Sequence, residues 1–177
     1  IARRLYRDCQ EQSTRLRKAI DEIRRTELDS EKIERLLYLQ AFAEEHALEV
    51  QLPFLQRTLG EFTLVPLIVS DADSDDVSAV IEALESEETL IVVSSDLSHY
   101  HDYRSCQQRD RETTQRIEAM QPAQIGPHDA CGAFPIRGLL KTARRHGWRV
   151  RTLDLRNSGD TAGDKSRVVG YGAYEFY

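Results

Sequence analysis

Short apolar runs alternate with helix-period segments from Phe62 to the C-terminus, and this alternation is the strongest constraint on the fold. The β-branched and apolar runs at 62–69, 89–93, 150–155 and 168–176 predict strands. Apolar residues at helical spacing predict helices over 77–84, 103–120 and 134–146. Gly147 follows the last helix at a position where glycine commonly ends one. Strands and helices in this order predict an α/β layered domain.

The first forty residues have a different character. Residues 1–26 are rich in charge and carry one apolar stripe at three-, four- and seven-residue steps, which is typical of a helix. Asp29 or Ser30 is a predicted N-cap for a second helix, and Pro53 predicts a kink or a restart within it. We expect a helical hairpin or coiled-coil arm over residues 1–43, with a separate α/β region over 44–177.

Composition excludes several classes of function. The formal net charge of −6 argues against nucleic acid as a partner, because phosphate binding needs a basic face. No apolar run reaches the roughly 20 residues that span a bilayer, and no signal-peptide pattern is present. Three widely spaced cysteines do not resemble a disulfide framework, so we expect a cytoplasmic protein without a membrane partner. The chain opens with Ile1, which suggests a truncated or partial sequence.

The best local signal for chemistry is the segment 93–100, VSSDLSHY. It begins at the carboxyl end of the most apolar predicted strand, where α/β sheets bind ligands. Asp96 and His99, three residues apart on a turn, are well placed for proton transfer or for supporting a metal. The alternative is that Ser95 and Asp96 only cap the following turn and that His99 is an ordinary surface residue.

A second signal is Cys131, just before the helix predicted from about residue 134. A helix N-terminus favours the thiolate, which binds a soft or borderline metal or acts as a nucleophile. The alternative is a small buried hydrophobic residue, the commoner role of an isolated cysteine. His128 is a weak second ligand candidate, since an isolated H-x-x-C pattern has little specificity.

Two further segments are weaker when taken alone. His46 lies on a predicted helix between Glu45 and Glu49, a spacing that an acidic solvated face also explains. Asn157 begins a polar turn after a predicted strand, and turn chemistry accounts for it adequately.

The order of these segments resembles the MEMO family, whose bacterial and archaeal members are often called AmmeMemoRadiSam system protein B. The matching segments are 45–55 (EHALEVQLPFL), 94–100 (SSDLSHY), 130–132 with 135–136 (ACG and PI), 157–160 (NSGD) and 168–173 (VVGYGA). They cover roughly Glu44 to Tyr177. The resemblance implies a mixed sheet flanked by helices, as in class III extradiol dioxygenases, with a cleft that holds iron or copper.

The resemblance also implies roles for individual residues. Cys131 corresponds to the metal-binding cysteine, and His99 corresponds to the histidine that acts as acid or base. Asp96 is expected to support His99. The cleft is expected to be lined by the ligand-binding residues His46, Ser95 and Asn157.

One departure from the family pattern concerns the other metal ligands. Full-length relatives take two more histidines from an N-terminal half, whereas residues 1–43 contain no histidine. We therefore expect an incomplete site, with no metal if that half is truly absent. The alternative function is a non-enzymatic module that binds a small molecule or a protein through the same cleft, with self-association through the helical arm.

Overall fold

The computed structural model describes residues 47–161 and 163–177. The predicted arm over 1–43 and His46 lie outside the described residues. The chain divides into two compact units, Ile1–Ile68 and Val69–Tyr177. Within the described residues, no helix is both long enough and apolar enough to cross a membrane.

Four α-helices are present in the described residues, one in the first unit and three in the second. They are α1 (Ala47–Leu59), α2 (Ser74–Leu84), α3 (Tyr103–Glu118) and α4 (Ala133–His146). Asp73 caps α2 and Asp102 caps α3 through side-chain oxygens that accept backbone N–H groups of the first turn. Gly147 ends α4 with a left-handed φ of 70°, which confirms the predicted helix end.

Three strands form an antiparallel sheet in the described residues, in the order β1-β3-β2. They are β1 (His99–His101), β2 (Val150–Asn157) and β3 (Val168–Phe176). A short 3₁₀ helix, Ser158–Asp160, follows β2, and another spans Pro122–Gln124. The α/β class is confirmed, and both described strand pairings are antiparallel.

Two of the predicted strands are wrong in the structure. Residues 62–69 and 89–93 are not part of a β-strand, since neither segment pairs with another among the described residues. Leu90 and Val92 are exposed, in contrast to the strand buried on both faces that the apolar run predicts. An apolar run becomes a strand only where a neighbour accepts its backbone hydrogen bonds.

The core of the second unit lies between α3, α4 and the sheet. Its buried residues are Leu97, Ile117, Ile125, Ala130, Ala133, Ile136 and Leu140. On the side of α4 towards α2, Gly138 leaves room for the side chain of Val77, which an added Cβ would overlap. The two helices are further joined by a buried hydrogen bond of 2.8 Å between Ser78 Oγ and Thr142 Oγ1. Helix α4 is thus fixed from both sides, and its N-terminus has a defined position.

Candidate functional site

The loop 94–98 is fixed against β3. Leu97 N–H donates to Gly170 O at 2.9 Å, and Gly170 N–H donates to Ser98 O at 2.8 Å. Leu97 also belongs to the buried core. Asp96 and His99, on either side of this anchored stretch, therefore project from backbone that is held in place, as a binding site requires.

Cys131 is fixed against the same loop just before α4 begins. Its N–H donates to Asp96 O at 3.2 Å, and Gly132 N–H donates to Ser95 Oγ at 2.8 Å. A Cβ at position 132 would lie 2.7 Å from Ser95 Cβ and 2.9 Å from Ser95 Oγ. Glycine permits this close approach, so Gly132 sets the separation between the loop and the start of α4.

The thiol of Cys131 faces the loop and is exposed. Asp96 N–H donates to Cys131 Sγ at 3.1 Å, and Ser95 Oγ lies 3.5 Å from the same sulfur. Cys131 is a free cysteine. The sulfur is therefore held by the backbone of the motif that also carries His99, rather than buried as a hydrophobic group.

Three donor atoms of different chemistry converge here. A carboxylate oxygen of Asp96, an imidazole nitrogen of His99 and Sγ of Cys131 all lie within 4.8 Å of one another. His99 Nε2 is 3.5 Å from Asp96 Oδ2. Sulfur and imidazole ligands suit iron, copper and zinc, whereas magnesium and calcium take oxygen ligands. The donor set fits a transition-metal ion of the kind that the resemblance implies.

The other predicted ligand-binding residues differ in placement. Ser95 lies in the cluster, where its hydroxyl contacts both the sulfur and the start of α4. Asn157 is buried, and its Oδ1 accepts Gly159 N–H at 2.9 Å, so it caps its own turn. None of its described hydrogen bonds reaches the cluster. Ligand binding by Asn157, and by His46 outside the described residues, stays a prediction.

A buried polar network beneath the loop did not emerge from sequence patterns. Asp110 Oδ1 accepts Ser98 N–H at 3.0 Å, and Cys106 Sγ lies 3.0 Å from Asp110 Oδ2. Burial, more than any other cause, raises the pKa of the Cys106 thiol to about 11, so it remains a proton donor to the carboxylate. The available signal was the i,i+4 spacing of Cys106 and Asp110 on a polar helix, which is too common to be specific. The network anchors Ser98, the neighbour of His99.

The family model described as Memo-like protein matches residues 13–175. The chain belongs to the MEMO family. The match begins upstream of Glu44, where the recognisable motifs begin, and includes every residue of the cluster.

Curated MEMO1 family proteins show the same similarity. The chain is 35% identical to one from Thermotoga maritima over 138 residues, covering 72% of this chain and 49% of the relative. It is 37% identical to one from Aeropyrum pernix over 142 residues, covering 73% and 50%. For one from Methanopyrus kandleri the values are 36% over 152 residues, 78% and 54%. The chain thus spans about half the length of the curated MEMO relatives that it matches.

Proposed function

We propose that this MEMO chain contributes to a cleft that binds an iron or copper ion through Cys131 and transfers a proton through His99. The observation that carries the proposal is the convergence of Asp96, His99 and Cys131 donor atoms within 4.8 Å. Bound iron or copper would supply Lewis-acid and one-electron redox chemistry. The proposal includes a location in the reducing cytoplasm. The free thiols of Cys106 and Cys131 support that location.

The residues of the chain have distinct tasks in this proposal. Cys131 Sγ is the ligand, because it is exposed and held in position by Asp96 N–H. His99 Nε2 holds or releases the proton, and the Asp96 carboxylate 3.5 Å away orients the ring. Ser95 keeps the loop and α4 together, and so maintains the distance between sulfur and imidazole.

The number of ligands determines what this chain does alone. A first-row metal ion usually takes three or more protein ligands. Among the described residues, the cluster supplies Asp96 and His99 beside Cys131. The resemblance implies histidines from another part of full-length relatives, which would free His99 for proton transfer. Binding to this chain alone therefore requires His99 as a ligand, and binding that survives its replacement points to ligands elsewhere.

The test is metal content after anaerobic loading with iron(II) and, separately, copper(I). If the three donors of this chain hold the ion by themselves, we expect about one metal ion per chain, lost in Cys131→Ser and retained in Cys106→Ser. Cys106→Ser is the matched control because it makes the same chemical change at a buried thiol outside the cluster. Equal metal in the Cys131→Ser and unchanged chains, or no metal in any of them, contradicts binding through Cys131 by this chain. Metal content of His99→Gln then distinguishes binding that uses His99 as a ligand from binding by ligands elsewhere.

A second candidate is a binding module without catalysis. The exposed side chains of Leu90 and Val92, in the segment that leads into the loop, favour it, because exposed apolar surface commonly marks an interaction site. This candidate expects ligand or partner binding to be indifferent to Cys131→Ser. Leu90→Ser and Val92→Ser should weaken binding of the ligand or partner, whereas neither change should alter metal content.

A further inference from the structure

Tyr100, the residue after His99, has an unusual backbone conformation. Its φ is 62°, a left-handed value that bulky residues rarely adopt. In a regular strand, neighbouring side chains point to opposite faces of the sheet. Here the ring centroids of Tyr100 and His99 are only 5.6 Å apart, and the Tyr100 side chain is largely exposed. The conformation therefore places an accessible aromatic ring beside the imidazole of the candidate site.

Arg167 extends the array. Its guanidinium lies over the Tyr100 ring, 4.4 Å from the centroid. A guanidinium stacked on a ring keeps the N–H groups at its edge available for hydrogen bonds. Among the described residues, no carboxylate forms an ion pair or hydrogen bond with Arg167, although the chain has a formal net charge of −6. The site thus has an exposed cation without a carboxylate partner in the described part of the chain.

Lys165, two residues earlier, shows what a compensated cation looks like in the same loop. Its Nζ lies 4.5 Å from the centroid of the Tyr103 ring. Tyr103 OH donates to Asp160 Oδ1 at 2.6 Å, and this bond, with a contribution from the charge of Lys165, lowers the pKa of the Asp160 carboxyl. Lys165 is therefore accompanied by a carboxylate. Both cations fasten their loop to a tyrosine, but only Arg167 retains a free anion-binding edge.

We propose that Arg167, positioned by Tyr100, binds the carboxylate group of a small ligand beside His99. This names the ligand class of the proposed site and rests on the proposed function for its chemical purpose. A planar carboxylate accepts two parallel hydrogen bonds from a guanidinium edge. The contact with the ring limits where the guanidinium lies, so less conformational freedom is lost on binding. A carboxylate bound there would place the rest of the ligand near His99.

The simpler explanation is that the stack only fastens the loop, as Lys165 does on Tyr103. That explanation requires a cation over the ring, as Lys165 supplies over Tyr103, but it requires no anion. The two explanations differ in what happens to carboxylate binding when the charge is removed and the fold is kept. Lys165→Gln is the matched comparison, because it removes the equivalent contact of a cation with Tyr103. Its effect on carboxylate binding shows what loss of such a contact does by itself.

The experiment titrates the full, metal-free chain with benzoate and with benzamide, its neutral isostere, and follows backbone amide shifts by NMR. We expect saturable shifts around 99–101 and 167 with benzoate and none with benzamide. Arg167→Gln should raise the benzoate Kd at least tenfold, and Arg167→Lys should have a smaller effect. Lys165→Gln should change the Kd less than twofold. Thermal unfolding of each variant verifies that the fold is intact.

Three results would overturn the inference: no saturable benzoate shifts, equal shifts with benzamide, or a benzoate Kd that Arg167→Gln leaves unchanged. If Arg167→Gln fails to fold, the benzoate Kd is measured for Arg167→Lys instead. It is also measured for Tyr100→Gly, which removes the ring that positions Arg167. An unchanged benzoate Kd in both refutes the site. Metal is absent from these titrations, so their failure leaves the metal-loading result untouched, and the reverse also holds.

Discussion

The close approach of Gly132 to Ser95 predicts that Gly132→Ala will destabilise the chain through a specific clash. The new Cβ would lie 2.7 Å from Ser95 Cβ, an atom attached directly to the backbone that cannot rotate away. The φ of Gly132 is −90°, which alanine adopts without strain. The cost must therefore come from separating the loop 94–98 from the start of α4.

The magnitude can be worked out from the contacts. Forcing an extra carbon into a packed contact costs about 1–3 kcal/mol. Weakening the hydrogen bond from Gly132 N–H to Ser95 Oγ adds about 1 kcal/mol. Alanine restricts the unfolded chain and returns about 0.4–1 kcal/mol. We expect Gly132→Ala to lower the free energy of unfolding by about 1–3.5 kcal/mol.

The assay is urea denaturation, monitored by far-ultraviolet circular dichroism, in a double-mutant cycle with Ser95→Gly. Ser95→Gly removes both Cβ and Oγ, the two atoms with which the Cβ of an alanine at position 132 would clash. In that background Gly132→Ala should cost nothing or stabilise slightly. Equal costs in the two backgrounds, within about 0.5 kcal/mol, would refute the clash as the cause.

Three further predictions concern the surroundings of the site. Gly170→Ala would place a Cβ within the Asp110 carboxylate, so we expect a loss of at least about 3 kcal/mol by urea denaturation, partly relieved by Asp110→Ala. Burial raises the pKa of the folded Cys106 thiol to about 11, above the unfolded value of 9.0. The thiol therefore contributes its full stabilisation below pH 9.0, and this stabilisation is lost as the pH rises towards about 11. Relative to Cys106→Ala, the free energy of unfolding should fall by about 2–3 kcal/mol over that window. Asn157→Ala removes a buried cap and should cost about 1–2 kcal/mol without changing metal content.

The sequence predicted those parts of the structure that depend on local pattern. Helices α2, α3 and α4 follow from apolar spacing and caps, and β2 and β3 follow from β-branched runs. Asp96 and His99 were predicted from the motif that follows residues 89–93, although that run is not a strand, and Cys131 was predicted from its position before α4. Their convergence within 4.8 Å is consistent with those motifs sharing one end of the fold.

Features that depend on tertiary partners were not predictable in this way. The run 89–93 has the composition of a buried strand, yet strand formation requires a neighbouring backbone that composition does not reveal. The pairing of Asp110 with Ser98 joins a helix to a loop, and neither residue stands out in its own segment. The left-handed φ of Tyr100 contradicts local preference, so only the surrounding structure can impose it.

The strand order also bears on how the site assembles during folding. β2 and β3 are joined by the short connection 158–167, whereas β1 pairs with β3 across a long stretch of chain. Closing a longer loop costs more entropy, so we expect the β2–β3 ladder to form first and the β1–β3 pairing last. A chain with only that ladder would lack the arrangement of Asp96 and His99. Anything that binds this cluster should therefore slow hydrogen exchange in β1, and by the same factor at every β2–β3 amide that exchanges only through global unfolding.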